Sequence, residues 1–245
     1  GWGEVPLNMQ WLWPGDCTVE GRLLHMKQAI SMCADFLLSS DLEGHPMDIG
    51  FKVIEEYLPK LVKTMNAEIE VDDPFPWTAA LAAYSVFDLA LYDAYAKAND
   101  RPVHAIFNSD YLSHDLSYYL QQYDDQHHFF RDLYPSDFLR DQPLQRLPVW
   151  HLVGGNDLLY PEEIHSELPN DEYPVMLSDW IQRDGLTCLK IKLLGRDFEW
   201  DFQRVVQVGK IALQYGAIWL SVDFNCTVND TAYVVELLLK LMREY

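Results

Sequence analysis

The sequence predicts an α/β protein with a parallel sheet, and three consecutive segments near its end carry that prediction. Residues 187–194 and 218–225 are short apolar runs that follow Asp-Gly and Tyr-Gly pairs, as buried strands do. Between them, residues 197–215 place apolar side chains at helical spacing behind Asp197, a suitable N-cap. A strand, a crossover helix and a second strand in close succession form a right-handed βαβ unit.

The earlier part of the sequence predicts helices. Residues 18–38 and 48–65 each carry a single stripe of apolar side chains, as amphipathic helices do. The second of these helices is expected to end before the Pro-containing break at residues 68–76. Thr78 is then expected to cap a long helix over residues 79–98.

These patterns divide the sequence into three parts. We expect a helical domain over residues 1–107, an insertion or linker over residues 108–147 and βα units over residues 148–245. The first strand of the last part is expected near residues 148–153, and its last helix over residues 229–245. The middle part is polar and aromatic, and long insertions of this kind often form lids or subunit contacts.

Two pairs of polar residues end the predicted strands. Lys190 and Lys192 close one strand, and Asp223 and Asn225 close the next. Residues two apart on a strand point to the same face, and the carboxyl ends of parallel strands carry the active site of α/β barrels. His151 on the first strand could face a substrate from the barrel interior. The sequence therefore predicts a site at this end of the sheet.

The chemistry of these side chains favours proton abstraction next to a metal ion. Ammonium groups that share a face repel each other, and burial adds to this effect, so the pKa of the lysines is expected to fall from its ordinary ~10.4. A neutral amine can then accept a proton. Asp223 and Asn225 offer the hard oxygen ligands that Mg²⁺ prefers. Such a cation would stabilise the oxyanion formed when a proton is removed beside a carboxylate.

Four short stretches of the sequence carry recognisable motifs. In chain order they are Gly1-Trp2-Gly3-Glu4, residues 87–97 with Arg101-Pro102-Val103, Lys190-Ile191-Lys192 and Asp223-Phe224-Asn225. Their types and order resemble those of the enolase superfamily, in its mandelate racemase and muconate lactonizing enzyme branch. The first is similar to the G-x-GE of the capping domain, and the second to a helix motif of that domain in which Tyr92 replaces the usual Trp. The last two resemble the K-x-K and D-x-N motifs that end neighbouring barrel strands.

The resemblance implies a fold and an activity. The fold is an N-terminal α+β capping domain, here mostly its helical part, followed by an incomplete TIM-like (β/α) barrel of the enolase type. The activity is Mg²⁺-dependent abstraction of the proton α to a carboxylate, through an enediolate. Such an enzyme is a racemase or epimerase, a cycloisomerase or an acid-sugar dehydratase, hence an isomerase or lyase, and its substrate is a small-molecule carboxylate.

The resemblance also assigns roles to the candidate residues. Lys192 would be the base, and Lys190 its pKa-lowering neighbour and a substrate contact. Asp223 would be the first metal ligand, and Asn225 an outer-sphere or substrate contact. His151 is added as a candidate substrate contact. The cofactor is Mg²⁺.

One departure from the family pattern concerns the rest of the barrel. The family places two further acidic metal ligands at the ends of the next two strands, whereas this sequence contains about three of the eight barrel strands. We therefore expect the sequence to be a piece of a longer protein, and this piece alone to be inactive.

Composition narrows the class of partner. The formal net charge is −20 and the pI is near 4.5, which argues against a nucleic-acid partner, because phosphates need a basic surface. Four cysteines without C-x-x-C spacing suggest free thiols in a reducing cytoplasm. No stretch of eighteen apolar residues occurs, so no membrane partner is expected. The expectation is a cytoplasmic homo-oligomer.

Two other functions stay open at this stage. Lys190 or Lys192 could form a Schiff base in a metal-free, aldolase-type barrel. The chain could instead be a non-catalytic homologue or assembly protein that uses residues 108–147 as a contact surface.

Overall fold

A computed structural model describes most of the chain, which is built from α-helices and one parallel sheet. The described residues are 1–15, 17–68, 73–120, 129–168 and 171–245. The predicted α/β class is confirmed at this level. Two compact units are present, Gly1–Gln142 and Pro143–Tyr245.

Helices make up the regular structure described in the first unit. They are α1 (Met9–Leu12), α2 (Val19–Ser39), α3 (Pro46–Lys52), α4 (Leu58–Glu68), α5 (Trp77–Ala98) and α6 (Leu116–Tyr119), with single 3₁₀ turns at Val103–Ala105 and Pro135–Phe138. Helices α2, α4 and α5 pack on one another around buried residues such as Met26, Leu61 and Ala83. Thr18 caps α2 by accepting a hydrogen bond from the backbone N–H of Gly21 at 3.1 Å.

Two helix predictions in this unit were imprecise. Helix α5 begins at Trp77, directly after Pro76, and the Thr78 hydroxyl donates to the Leu12 carbonyl oxygen at 2.7 Å instead of capping the helix. The single helix predicted over residues 48–65 is α3 and α4 joined by a π-helical turn at Val53–Tyr57. Such turns are rare, and the apolar stripe gives no sign of this one.

The aromatic segment that follows α5 packs on the helical unit. His114 Nδ1 lies 3.1 Å from Asp48 Oδ1, and the Tyr119 hydroxyl donates to the same oxygen. Burial raises the pKa of the Asp48 carboxyl, but the hydrogen bonds that it accepts from Tyr119 and His114, with the charges of nearby histidines, together outweigh burial and hold this pKa below its usual range. Residues 121–128 of the predicted insertion lie outside the described part of the chain.

The second unit contains the predicted βαβ arrangement. Its strands are β1 (Trp150–Val153), β2 (Cys188–Lys192) and β3 (Trp219–Asp223), and its helices are α7 (Leu177–Asp184), α8 (Phe198–Tyr215) and α9 (Thr231–Glu244), with a 3₁₀ turn at Pro161–Glu163. The strands are parallel in the order β1-β2-β3. Asp197 caps α8 as predicted, accepting from the Trp200 N–H at 3.1 Å. Gly216 ends α8 with φ +83°, a value that favours glycine.

The two faces of this sheet differ in character. One face packs on α8, and its residues Val153, Leu189 and Ile191 belong to the buried core with Phe202 and Val208. The opposite face carries the alternate residues of each strand, because successive strand side chains point to opposite sides. In register across the strands these are Trp150, Cys188 and Trp219, then Leu152, Lys190 and Ser221, then Lys192 and Asp223.

Among the helices of the described residues, none combines the length and apolar character that a bilayer span requires.

Candidate functional site

The carboxylate of Asp223 lies between the two candidate lysines. Its Oδ2 atom is 2.8 Å from Lys190 Nζ and 2.8 Å from Lys192 Nζ. Strand register explains this geometry: Lys192 pairs with Asp223 across the sheet, and Lys190 lies two residues earlier on the same face. The sheet therefore brings three of the predicted site residues together.

Asn225 completes this cluster from the turn after β3. Its side-chain Oδ1 accepts a hydrogen bond from Lys192 Nζ, and its backbone N–H donates to Asp223 Oδ1 at 2.9 Å. Asn225 and Cys226 both have a left-handed backbone, with φ of +51° and +61°. Asparagine adopts a left-handed backbone more readily than most residues do, so Asn225 is well suited to its position in this turn.

The cluster carries more positive than negative charge. Two ammonium groups share one carboxylate, and the Asn225 side chain adds no charge. The hydrogen bonds from Lys190, and then from Lys192, hold the pKa of Asp223 far below its usual range, and burial acts in the opposite direction. The Lys192 side chain is 19% exposed and that of Lys190 is 43% exposed, so Lys190 is the more open to solvent.

His151 lies apart from this cluster. On β1 it alternates with Trp150 and Leu152 and therefore points to the same side as Val153, which is the side that packs on helices. Its ring centroid is 5.3 Å from that of Trp180 in α7. The structure thus places the predicted substrate contact on the opposite face of the sheet from the two lysines.

The described residues of the cluster do not by themselves fit a Mg²⁺ ion. Asp223 Oδ2 contacts both lysines, Asp223 Oδ1 accepts from the Asn225 N–H, and Asn225 Oδ1 accepts from Lys192. Within the described part of the chain, no group of three or more His, Cys, Asp or Glu side chains is placed to hold a metal. One carboxylate and one amide oxygen are two of the six ligands that octahedral Mg²⁺ takes.

Asp201 and Thr227, which the sequence analysis missed, position the loops at this edge of the sheet. Asp201 in α8 is fully buried, and its carboxylate accepts from the backbone N–H groups of Leu194 and Gly195 at 2.7 and 2.8 Å. It also accepts from the Tyr233 hydroxyl of α9 at 2.7 Å. This network fixes the chain directly after Lys192.

Thr227 links the loops that follow β2 and β3. Its hydroxyl lies 2.7 Å from the carbonyl oxygen of Leu194 and 2.5 Å from that of Phe224. The two loops that flank the cluster are therefore tied to each other. An acidic residue early in α8 and a threonine after the Asp223 strand were the available sequence signals, and neither is specific.

Comparison with known proteins adds no relative: no family model, no curated protein and no solved structure matches this chain.

Proposed function

We propose that this chain belongs to a Mg²⁺-dependent enzyme of the enolase type that removes the proton α to a carboxylate through an enediolate. The observation that carries the proposal is the convergence of Lys190, Lys192, Asp223 and Asn225 at the carboxyl ends of adjacent parallel strands. Active sites of α/β barrels lie at this end of the strands. The order of the four sequence motifs supports the same function.

In this proposal the two lysines have different roles. Lys192 is the deeper one, and its Nζ is oriented by two oxygen acceptors, from Asp223 and Asn225. A fixed orientation of Lys192 Nζ suits a catalytic base, because the base must be aligned with the C–H bond of the substrate. Lys190 is more exposed and suits a contact to the substrate carboxylate. Before it can accept a proton, Lys192 must be neutral.

The metal is part of the proposal, with Asp223 as one ligand. Bound Mg²⁺ would supply the positive charge that stabilises enediolate oxygens. Because the described residues supply a single carboxylate here, the proposal needs further acidic ligands from strands next to β3. The second unit would then be part of a larger (β/α) barrel, and the first unit the helical part of its capping domain.

The surface around β3 supports a larger sheet. In the described sheet β3 is an edge strand. Large apolar side chains at the start of β3 and on α9 are exposed to solvent: Ile218, Trp219, Leu220, Val235, Leu238, Leu239 and Met242. Parallel sheets are usually covered on both faces, and exposed apolar patches often mark interfaces. Further strands and helices that pack there would cover this surface.

Hydrogen exchange at the substrate α-carbon tests the proposal. The full-length protein would be incubated in D₂O with Mg²⁺ and a panel of α-hydroxy acids, acid sugars and dipeptides, and the α-proton followed by NMR. We expect loss of the α-proton signal for at least one compound, and a reduction of about 100-fold or more in Lys192→Met. Lys97→Met is the matched control, because Lys97 forms a surface ion pair with Asp93.

A non-catalytic homologue is the second candidate, and the ion pairs favour it. In the described state the carboxylate that would bind Mg²⁺ is the counter-ion of both lysines. Such a cluster can also be a purely structural link between two strands. This candidate predicts no exchange with any compound in the panel, and a loss of stability in Lys192→Met.

A further inference from the structure

A cavity lies beside the end of β1, between the loop that follows this strand and α7. It has a volume of about 530 Å³ and is bordered by the end of β1, the loop after it, residues 171–175 and α7. Pockets that bind small molecules in proteins commonly have volumes of about 300–1,000 Å³. Neither the sequence motifs nor the proposed function uses this space.

Aromatic rings form one wall of this cavity. The ring centroids of Tyr173 and Trp180 are 6.0 Å apart, with 25° between their planes, and the His151 ring centroid lies 5.3 Å from that of Trp180. The guanidinium of Arg183 lies 5.1 Å from the Tyr173 ring and 4.8 Å from the Trp180 ring. These rings therefore already contact one cation, as aromatic faces in proteins commonly do.

The charged residues that line the cavity are acidic. Asp157 and Asp171 are both among its lining residues, and no Lys or Arg is found among the described residues that line it. Arg183 is paired with Asp184 at 3.0 Å, and Arg204 donates to backbone carbonyl oxygens of the loop after β1. The net charge of −20 adds to the negative potential that a cation meets here.

The two carboxylates are held in place and keep acceptor capacity. Asp157 Oδ2 accepts from the Gly154 N–H at 2.6 Å, and Asp171 Oδ1 accepts from the Tyr173 N–H at 3.1 Å. Among the described residues, the second oxygen of each carboxylate receives no hydrogen bond. An ionised carboxylate can accept several hydrogen bonds, so both remain available to a ligand with N–H donors.

From this arrangement we propose that the cavity binds an organic ammonium ion with a small apolar body. The ammonium group is held by Asp157 and Asp171, and the apolar body lies against Trp180 and Tyr173. Charge-assisted hydrogen bonds to the carboxylates favour an ammonium group, and the two aromatic rings favour an apolar body. The proposal is independent of the function proposed for the lysine cluster.

Three probes of one shape test the charge requirement. Phenethylammonium, the neutral 2-phenylethanol and the anionic 3-phenylpropionate would be titrated into the protein by calorimetry at low ionic strength. We expect saturable binding of phenethylammonium, affinity at least about tenfold lower for the alcohol, and no binding of the acid. Added salt should weaken the binding of the cation.

Substitutions locate the site. Asp171→Asn and Tyr173→Leu should each weaken phenethylammonium binding by about five- to tenfold, and Trp180→Leu should weaken it more. Asp171 and Tyr173 are exposed, so their variants are expected to fold even if the loss of Trp180 disturbs α7. Trp219→Phe is a control on the opposite face of the sheet and should leave this affinity unchanged.

Several outcomes would overturn the proposal. Equal affinity for the ammonium and the alcohol would mean that the cavity is only an apolar cleft. Unchanged binding in both Asp171→Asn and Tyr173→Leu would place the ligand elsewhere. Absence of phenethylammonium binding to the wild-type protein would contradict the proposal directly.

Discussion

Asp223 connects two strands by accepting from two lysines at once. Lys190 and Lys192 both lie 2.8 Å from the same oxygen, and both lower the pKa of the carboxyl. We expect the side-chain carboxyl of Asp223 to titrate far below the ordinary value of ~3.9 for aspartate. Carbon-detected NMR of the carboxyl resonance against pH measures this directly.

Methionine substitutions separate the contributions of the two lysines. Lys190→Met and Lys192→Met should each raise the pKa of Asp223, because each removes one charged donor. Asp93, whose pKa is lowered by Lys97 and by the Trp2 N–H, serves as an internal control that should not change. If neither substitution changed the pKa of the Asp223 carboxyl, the ion pairs would not persist in solution.

The lowered pKa of Asp223 also determines how this cluster responds to pH. A carboxyl whose pKa is lower in the folded state contributes stability above its unfolded pKa of ~3.9, and this contribution is lost as pH falls through the folded pKa. Asp223→Asn should therefore be less stable than wild type at pH 7, by about 1–3 kcal/mol. Urea unfolding should show this difference shrinking only in strongly acidic solution. A constant difference between pH 7 and strong acid would contradict the ion-pair account.

Gly1 and Gly3 let the first residues of the chain pack closely on α5. An added Cβ at Gly3 would lie 2.0 Å from the Val86 carbonyl oxygen and 2.8 Å from the Ala90 N, and one at Gly1 would also meet the backbone of α5. The Trp2 N–H donates to Asp93 at 2.7 Å, which fixes the segment on the helix. The glycines of the G-x-GE motif thus allow a close approach to α5.

We expect Gly3→Ala to destabilise the first unit by about 1–3 kcal/mol, because the new methyl group must displace the backbone. Gly209→Ala is the matched contrast, since its Cβ would meet only a Leu220 methyl group at 3.8 Å within α8. That change should stabilise the protein by up to about 1 kcal/mol through helix propensity. Thermal unfolding shows whether each variant is more or less stable than wild type. If Gly3→Ala did not change the stability, the segment around Gly3 would not pack on α5.

In the second unit, substitution of Asp201 tests how much its buried hydrogen bonds stabilise the fold. Asp201→Asn replaces one acceptor oxygen by a donor that faces N–H and O–H donors, so we expect a loss of about 2–3 kcal/mol. Glu236→Gln is a control at an exposed position of α9. Equal urea midpoints for the two variants would show that the Asp201 network does not support the loops.

Local signals made part of this fold predictable. Asp197 and Gly216 mark the two ends of α8 in the sequence. The apolar runs before and after this helix predicted β2 and β3 to within a few residues. The π-helical turn at Val53–Tyr57 and the Asp201–Tyr233 contact left no local pattern, because one is a backbone irregularity and the other joins distant residues. Long-range pairing of this kind is invisible to periodicity.

The candidate site was predictable in composition and less so in geometry. Two-residue spacing predicted that both lysines share one face of their strand, and the strand register adds Asp223 to that face. It could not show that both contact one oxygen, nor which face of β1 carries His151, because four residues with partial exposure give no clear alternation.

An exposed stretch of the chain spans the boundary between the two compact units. Residues 137–150 are all exposed, and their only regular structure is the end of one 3₁₀ turn and the first residue of β1. Arg140 and Arg146 lie within this stretch, so limited trypsin digestion should cut there first. Both products should then resist further cleavage, and an Arg140→Gln/Arg146→Gln variant should be cut more slowly. A first cut within α8 would contradict the division into units.

Calorimetry of Mg²⁺ binding to the full-length protein, in wild type and Asp223→Asn, decides whether Asp223 is a metal ligand of an enolase-type enzyme. We expect saturable binding that is lost in Asp223→Asn, unchanged in Asp184→Asn, and retained or tightened in Lys190→Met, where one competing ammonium group is gone. Absence of binding in wild type, or binding that Asp223→Asn leaves intact, would contradict the enolase-type mechanism and leave the cluster as a structural link between two strands.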